Sequence, residues 1–392
     1  MSIHRFTAIS GETMFMETIH IGRCVQWCAC CVITVLALME SPVMTAEPAA
    51  AEPANSTADL SLMLQVSTTD IRSHYDATVL PELDHSLARL RADYLAGNPN
   101  RDLVLTDVDD GTSTPQLSRR VLDHVAPFLP GGPTPAFRSV YVGTIGEPSC
   151  GNRRGITAMK AECSSANTSG WNPYVQGITD SAVTAAHIAL SAQLATVFRW
   201  AYPSVTINWY ISWEGFLPTL MRNDQAGIAS AVVRAAYVAY FAALSRVLNT
   251  VQPSGAYLWS PALDQPLAQV QADGQYGTYQ ANMVSFFQTV RSSAPAITSL
   301  RLVVQDGLSR SCLLLGGSYN QTASSRIIWS QNLRAFATSW LSVGELNAEL
   351  FTDPACPADG ASCAVIARVA QYQNANVPIG PSFDLLSWES LQ

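Results

Sequence analysis

The sequence has few charged residues and almost no lysine. Only 13% of its 392 residues are charged, and Lys160 is the single lysine. Runs rich in lysine or arginine are absent, and the formal net charge is −8. Proteins that bind a nucleic-acid backbone usually carry a basic patch, so no nucleic-acid partner is expected. The hydrophobic fraction of 48% predicts a large buried core under a lightly charged surface.

Motifs for nucleotide and metal binding are also lacking. Neither G-x-G-x-x-G nor the phosphate-binding loop pattern occurs in the chain. No C-x-x-C pair follows the first fifty residues, and the histidines there are scattered, at His74, His85, His124 and His187. Zinc sites in proteins use closely spaced cysteine and histidine ligands. We therefore expect no metal and no cofactor.

The N-terminal segment, residues 1–46, is predicted to be a signal or targeting segment. Arg23 precedes an apolar run from Val25 to Met39, and small residues follow around Ala46. At about 15 residues, the run is shorter than the roughly 20 that a membrane span needs. An uncleaved anchor is the alternative. Residues 47–58 form an Ala/Pro-rich stretch that predicts a disordered linker.

Export to an oxidising compartment favours disulfides, and the cysteine spacing agrees with it. Cys150 and Cys163 bracket one predicted loop, Cys356 and Cys363 bracket another, and Cys312 is left over. Local pairs of this kind would tie down long loops. The mature protein is expected to be secreted, extracellular or in the cell envelope, without a membrane segment, and monomeric.

From residue 59 to residue 392, short β-like runs alternate with amphipathic helical stretches. In the first helical stretch, Leu83, Leu87 and Leu90 share one stripe. The predicted strands are 60–66, 103–108, 139–145, 205–212, 256–259, 300–304, 345–351 and 379–385. Alternating βα units require parallel strands with right-handed crossovers. They predict a single α/β domain that closes as a (β/α)8 TIM barrel, with an open doubly wound sheet as the rival.

The fourth predicted strand alternates strictly between two kinds of side chain. Its apolar set is Val205, Ile207, Trp209 and Ile211. Its more polar set is Thr206, Asn208, Tyr210, Ser212 and Glu214. Because successive residues of a strand face opposite sides, the polar set should point into the barrel. This places Glu214 at the rim, at the strand's carboxyl end.

The seventh predicted strand repeats the arrangement. Its polar parity carries Glu345, Asn347, Glu349 and Phe351. Two acids on one strand face are costly in a core unless water or a ligand meets them. Strands four and seven lie on roughly opposite sides of an eight-stranded ring, so Glu214 and Glu349 should face each other across its mouth.

Two facing carboxyl groups suit the cleavage of a glycosidic bond. One protonates the leaving oxygen while the other attacks the sugar or activates water. A low-dielectric pocket and a neighbouring carboxylate can raise the pKa of one group enough to keep its proton. The alternative interpretation is a pair of rim glutamates held by arginine.

Polar and aromatic residues at other strand ends are typical of sugar binding, because polar groups meet hydroxyls and flat rings meet the apolar faces of a sugar. The predicted substrate-binding residues are Asn208, Tyr210, Tyr257, Trp259, Gln305, Asp306 and Asn347. A calcium site is a weaker alternative, at Asp107, Asp109 and Asp110.

Several strand ends together resemble a known family. They are Trp209-Tyr210-Ile211-x-x-Glu214, Ser260-Pro261, Gln305-Asp306-Gly307 and Asn347-x-Glu349-x-Phe351, with Val140-Tyr141-Val142-Gly143 on strand three. The set resembles a glycoside-hydrolase-like TIM-barrel family long known as a domain of unknown function, over about residues 138–388. That family is similar to the cellulase-like group of retaining barrel glycosidases.

The resemblance implies roles for the two glutamates. Glu214 would be the acid/base on strand four, and Glu349 the nucleophile on strand seven. The wider group usually has Asn directly before the acid/base, whereas this chain has Trp213. Asp306 is the reserve candidate for the acid.

The expected function is a secreted glycoside hydrolase that cleaves a polysaccharide or glycoconjugate by a retaining two-glutamate mechanism. A carbohydrate-binding TIM barrel without turnover is the alternative. A hydrolase that uses Asp107 or Asp306 with a metal is a third, weaker hypothesis.

Overall fold

The computed structural model describes part of the compact unit Glu52–Gln392. The described residues are 61–66, 79–98, 101–109, 114–148, 172–221, 224–225, 228–263, 271–272, 274–306, 323–347, 369–380 and 383–384. Several predictions lie outside these residues: the targeting segment 1–46, the linker 47–58 and all the cysteine pairs. Glu349 and Asp110 lie outside them as well.

The described fold is a curled parallel sheet with helices in its crossovers. The sheet has seven strands of four to seven residues and one strand of two residues, which are β1 (Leu62–Gln65), β2 (Asp102–Thr106), β3 (Ser139–Gly143), β4 (Asn208–Ile211), β5 (Ala256–Trp259), β6 (Ser299–Gln305), β7 (Leu341–Asn347) and β8 (Phe383–Asp384). Their order in the sheet is β8-β1-β2-β3-β4-β5-β6-β7. The predicted alternation of strands and helices, and their parallel pairing, are confirmed.

Within the part of the chain that the structure describes, six principal helices lie between these strands. They are α1 (Val79–Leu95), α2 (Arg119–Val125), α3 (Ser181–Ala201), α4 (Ser230–Val251), α5 (Tyr276–Ser293) and α6 (Ala323–Arg334). The predicted stripe of Leu83, Leu87 and Leu90 on α1 is buried. Asp180 caps α3, because its carboxylate accepts hydrogen bonds from the backbone N–H groups of Ala182 and Val183 at 2.8 and 3.2 Å.

The sheet separates two hydrophobic clusters. A large cluster fills the layer between the sheet and the helices. It includes Trp209 and Ile211 of β4 and Ile207, which directly precedes that strand. A small one lies on the concave face and contains one residue from each of five neighbouring strands, namely Val104, Tyr141, Tyr210, Leu258 and Val303. Side chains from five strands can meet only if the sheet curls around them. The alternation expected for the fourth strand is therefore confirmed.

Beside this cluster, an ion network crosses the concave face. Arg301 of β6 contacts Asp102 of β2 at 2.8 Å and Glu345 of β7 at 2.7 Å. Arg138 and the Ser139 hydroxyl also hold Asp102, at 2.7 and 2.5 Å. Burial raises the pKa of Asp102, but these hydrogen bonds and the charge of Arg301 outweigh it and hold the pKa below its ordinary value.

The network explains the acidic pattern that the sequence analysis noted on strand seven. That strand begins at Leu341, four residues earlier than predicted, so Glu345 lies within the strand rather than at its start. Its carboxylate is paired with Arg301 and also accepts a hydrogen bond from the Ser342 hydroxyl at 3.0 Å. One of the two acids is thus held by the interior itself, and needs no ligand.

The chain after β7 contacts both edges of the sheet. Ile379 forms a parallel bridge with Leu346 of β7, and Phe383 pairs with Leu62 of β1. Gly380 lies between these contacts, where a Cβ would approach Val303 Cγ1 to 2.3 Å. No other residue fits there without displacing the inner cluster.

Within the described residues, α3 and α4 are long and apolar enough to cross a membrane by length and composition alone. Each buries one face in the layer against the sheet, and core helices of this kind pass the same test.

Candidate active site

Glu214 stands at the carboxyl edge of the sheet, three residues beyond the end of β4. The Tyr210 hydroxyl donates a hydrogen bond to its Oε1, and the Gln305 amide donates one to its Oε2. Tyr210 reaches it because both residues belong to the inward parity of the fourth strand, and Gln305 ends β6. Two strands thus fix one half-buried carboxylate.

Gln305 is fully buried and acts as the fixed donor of this arrangement. Its Nε2 also donates to the carbonyl oxygen of Ser260 at 2.8 Å. The Ser260 carbonyl can only accept, so the side-chain amide has a single sensible orientation. Its Oε1 is buried without a donor among the described residues.

The backbone around Glu214 rests on aromatic side chains. The Tyr237 hydroxyl of α4 donates to the Glu214 carbonyl at 2.9 Å, and the Trp259 indole N–H donates to the Trp213 carbonyl at 3.1 Å. A Cβ on Gly215 would lie 2.8 Å from the Tyr237 oxygen, so glycine permits this close approach. Burial, and then the charges of Glu147 and Glu214, raise the pKa of Tyr237, which keeps it a donor.

Trp213, where the resembled group usually has Asn, is fully buried beside His187 and Tyr240, with ring centroids 4.8 and 5.1 Å away. His187 Nε2 lies 2.8 Å from the carbonyl oxygen of Ile145, which can only accept, so this nitrogen carries the proton. Its Nδ1 lies 3.2 Å from the Tyr240 hydroxyl. His187 is therefore a satisfied core histidine that fixes the chain after β3 against the chain after β4.

Glu147 and Tyr174 are site residues that the sequence analysis missed. Glu147 follows β3 by four residues, and the Tyr174 hydroxyl donates to its Oε1 at 3.1 Å. The Tyr174 ring meets Phe216 edge to face, with centroids 4.9 Å apart and an interplanar angle of 77°. The missed signal was a carboxylate shortly after a strand end, in a stretch interpreted only as loop.

Two predicted substrate-binding residues lie on the other side of the sheet. The Tyr257 hydroxyl donates to Asn249 Oδ1 on α4 at 2.8 Å, and Trp259 packs against Phe241 and Phe286. Their parity on β5 points outward toward the helices. The prediction that Tyr257 and Trp259 contact a ligand in the barrel mouth does not agree with this placement.

The remaining predicted residues are distributed along the strands. Asn208 begins β4, on the inward parity but at the end opposite Glu214. Asp306 follows β6, is fully buried, and accepts a hydrogen bond from the Tyr372 hydroxyl at 2.9 Å. Asn347 ends β7 and pairs through its backbone with Gln305. Tyr210 and Gln305 are therefore the predicted binding residues that the structure brings to Glu214.

Among the described residues, no group of three or more His, Cys, Asp or Glu side chains is arranged to hold a metal. Asp107 adopts a left-handed conformation with φ 47°, and Asp109 is buried at 1% exposure. Asp110, the third member of the alternative calcium site, lies outside the described residues.

No family model and no curated protein matches the sequence. The chain is similar to a solved structure, that of a candidate alpha-L-fucosidase from Bacteroides thetaiotaomicron VPI-5482. The TM-score is 0.47 at 12% identity, over 90% of this chain and 91% of that one. A likeness this remote carries no argument about activity. The assignment of function depends on the described side chains and on the sequence.

Proposed function

We propose that this chain is a secreted glycoside hydrolase that cleaves a polysaccharide or glycoconjugate. The observation that carries the proposal is the half-buried carboxylate of Glu214 at the carboxyl edge of the sheet, held by Tyr210 and Gln305. Active sites of parallel barrels lie at this edge. A carboxyl group fixed there in one orientation is suited to transfer a proton to or from a glycosidic oxygen.

The proposed fold is a closed (β/α)8 barrel. Its support is the isolated bridge between Ile379 and Leu346 of β7, together with the pairing of Phe383 with Leu62 of β1. Hydrogen exchange should then protect the amides of β1 and β7 as strongly as those of the central strands. Rapid exchange along β1 or β7 would indicate an open edge.

In the proposed mechanism, Glu214 is the acid/base and Glu349 the nucleophile. Glu349 lies outside the described residues, two positions beyond Asn347 at the end of β7, and continues the parity of Glu345. Asp306 becomes a weaker reserve acid, because it is fully buried, whereas Glu214 is half-buried and open to a ligand.

The first experiment is a screen of the purified protein on a panel of polysaccharides, followed by Glu349→Gln and Glu214→Gln. Loss of a general acid slows the reaction by about 10²–10⁴-fold. Glu214→Gln should show this loss on sugar leaving groups and a much smaller one on activated aryl glycosides, which need little protonation. Glu349→Gln should be inactive on both, and a folded, active variant would refute the role assigned to Glu349.

The retaining stereochemistry is tested separately. Retaining enzymes hold their carboxyl groups about 5–5.5 Å apart, and inverting enzymes about 6.5–9.5 Å apart. Proton NMR of the first product released should show the anomer of the substrate. The opposite anomer would mean that Glu349 activates water instead of attacking the sugar.

A carbohydrate-binding barrel without turnover is the second candidate. The observation that favours it is that both Glu214 oxygens accept hydrogen bonds from the protein, since a fixed carboxylate can hold a sugar hydroxyl without transferring a proton. Binding of oligosaccharides in calorimetry, with no hydrolysis of any panel member, would select it.

Secretion, maturation and the monomeric state are proposed from the sequence. Residues 1–46 would be removed, residues 47–58 would remain as a linker, and Cys150–Cys163 and Cys356–Cys363 would pair. Mass spectrometry of the exported protein, before and after reduction, gives the new N-terminus and the pairs. Size-exclusion chromatography with light scattering gives the oligomeric state.

A further inference from the structure

The rim beside Glu214 has a second built feature, formed by the chain after β3 and the chain after β4. It consists of the Glu147 carboxylate, the Tyr174 phenol and the Phe216 ring, all half-buried. The Tyr174 hydroxyl bonds Glu147 Oε1 at 3.1 Å, and the two rings meet edge to face at 4.9 Å.

The supports of these side chains are rigid. Asn172 fixes the turn that carries Tyr174, because its side chain accepts from the Tyr174 N–H at 2.9 Å. His187 holds the carbonyls of Ile145 and Gly146, directly before Glu147, at 2.8 and 3.2 Å. The feature is thus fixed relative to the frame of the sheet, as a binding site requires.

The support of Phe216 is shared with Glu214. Tyr237 holds the Glu214 carbonyl, and Gly215 leaves room for that contact, so the next residue, Phe216, has a defined position. Tyr237 also lines a cavity of about 20 Å³ together with Tyr174 and Phe216. Tyr237 therefore connects the two acids, because it holds the Glu214 carbonyl and lines the same cavity as Tyr174, whose hydroxyl bonds Glu147.

The geometry points to a sugar-binding subsite formed by Glu147, Tyr174 and Phe216, which holds a neutral sugar ring next to the group on which Glu214 acts. The Glu147 carboxylate accepts hydrogen bonds from sugar hydroxyls. The edge-to-face pair of the Tyr174 and Phe216 rings packs against the C–H face of the sugar. Two nearby carboxylates disfavour a sugar that is itself a carboxylate. The inference rests on the proposed function and adds a preference for neutral glycans over polyuronates.

The test uses Glu147→Gln, which keeps the shape and removes the charge, with Asp123→Asn as the matched control. Asp123 on α2 also accepts a tyrosine hydroxyl, from Tyr202 at 2.7 Å, but lies away from the rim. The probes are neutral hexose and pentose oligosaccharides and an oligogalacturonate. Circular dichroism and the thermal midpoint show whether each variant is folded.

For the neutral substrate that the wild type prefers, Glu147→Gln should raise KM about tenfold and change kcat little, because a charge-assisted hydrogen bond to bound sugar is weakened. Relative activity on the oligogalacturonate should rise. Phe216→Leu, which removes one ring of the pair that contacts the sugar, should raise KM in the same way, whereas Asp123→Asn should leave KM unchanged.

An active wild type whose KM is the same in Glu147→Gln and Asp123→Asn overturns the subsite and leaves the proposed function intact. Equal wild-type activity on neutral and acidic probes overturns the selectivity. A wild type that binds the oligosaccharides in calorimetry without cleaving them refutes hydrolysis, and the same variants then test the subsite by affinity. A wild type that neither binds nor cleaves overturns both.

Discussion

Replacing Arg301 by Met should destabilise the fold far more than replacing a surface arginine. The Arg301 guanidinium is the central cation of the concave face and contacts Asp102 at 2.8 Å and Glu345 at 2.7 Å. The side chain of Asp102 is 1% exposed and that of Glu345 is 11% exposed, so water cannot replace the lost cation easily. Methionine keeps much of the apolar volume of the arginine stem.

The expected loss of stability depends on the partners that Asp102 and Glu345 keep once Arg301 is replaced. Removing one partner of a buried ion pair costs about 3–5 kcal/mol, because the other charge stays buried and uncompensated. Asp102 keeps Arg138 and the Ser139 hydroxyl, and Glu345 keeps the Ser342 hydroxyl. These partners compensate in part, so we expect a loss of about 3 kcal/mol in unfolding free energy.

Urea unfolding at pH 7, followed by tryptophan fluorescence, measures the loss through the midpoint and slope. The control is Arg119→Met, which breaks an exposed pair with Asp123 in which both side chains are half exposed. Such a pair is worth about 0.5 kcal/mol. In a double-mutant cycle, Asp102→Asn should shrink the cost of Arg301→Met. If Arg301→Met costs no more than Arg119→Met, or the two interior changes are additive, the proposed network does not stabilise the fold.

Three further outcomes are expected. Hydrogen bonds from Arg138 and Ser139 and the charge of Arg301 hold the pKa of Asp102 below its ordinary value, so its stabilisation is present above the ordinary pKa and is lost as the pH falls through the folded value. Asp102→Asn should therefore flatten the acid limb when the unfolding free energy is measured against pH. Tyr257→Phe loses a buried hydrogen bond to α4 and should cost about 1 kcal/mol in urea, with KM for any substrate unchanged; a raised KM would return Tyr257 to the site. Gly380→Ala should lower the thermal midpoint, because the added Cβ overpacks Val303 at a cost of about 1–3 kcal/mol. Adding Val303→Ala to the same chain should recover part of the lost stability. Full stability of Gly380→Ala alone would contradict the close approach.

Periodicity made much of the fold predictable. A leucine stripe repeats along α1, and apolar and polar residues alternate along the fourth strand, so the helix, the strand and the inward direction of Tyr210 follow from spacing alone. Thr179 and Asp180 both precede this apolar helix as short acceptor side chains suited to a cap, and the structure shows that Asp180 binds its first N–H groups.

The site was predictable where a residue's position along its own strand indicated the inward face or the carboxyl end. Glu214 and Tyr210 lie on one inward parity, so both could be placed from the sequence, and Gln305 from its position at the end of β6. Tyr257 and Trp259 could not, because β5 reads Ala-Tyr-Leu-Trp and both of its parities are apolar. With no alternation, only the packing against α4 and α5 decides which face turns inward.

The sequence alone determined the order of the parallel units, the acidic character of the chain and the presence of a carboxylate at the end of the fourth strand, since each depends on residues close together along the chain. The tertiary structure decided which distant groups meet. Arg301 meets Asp102 from 199 positions away, and Tyr174 meets Glu147 from 27 positions away. Such contacts are made when the sheet curls and the crossovers pack, and no local pattern specifies them.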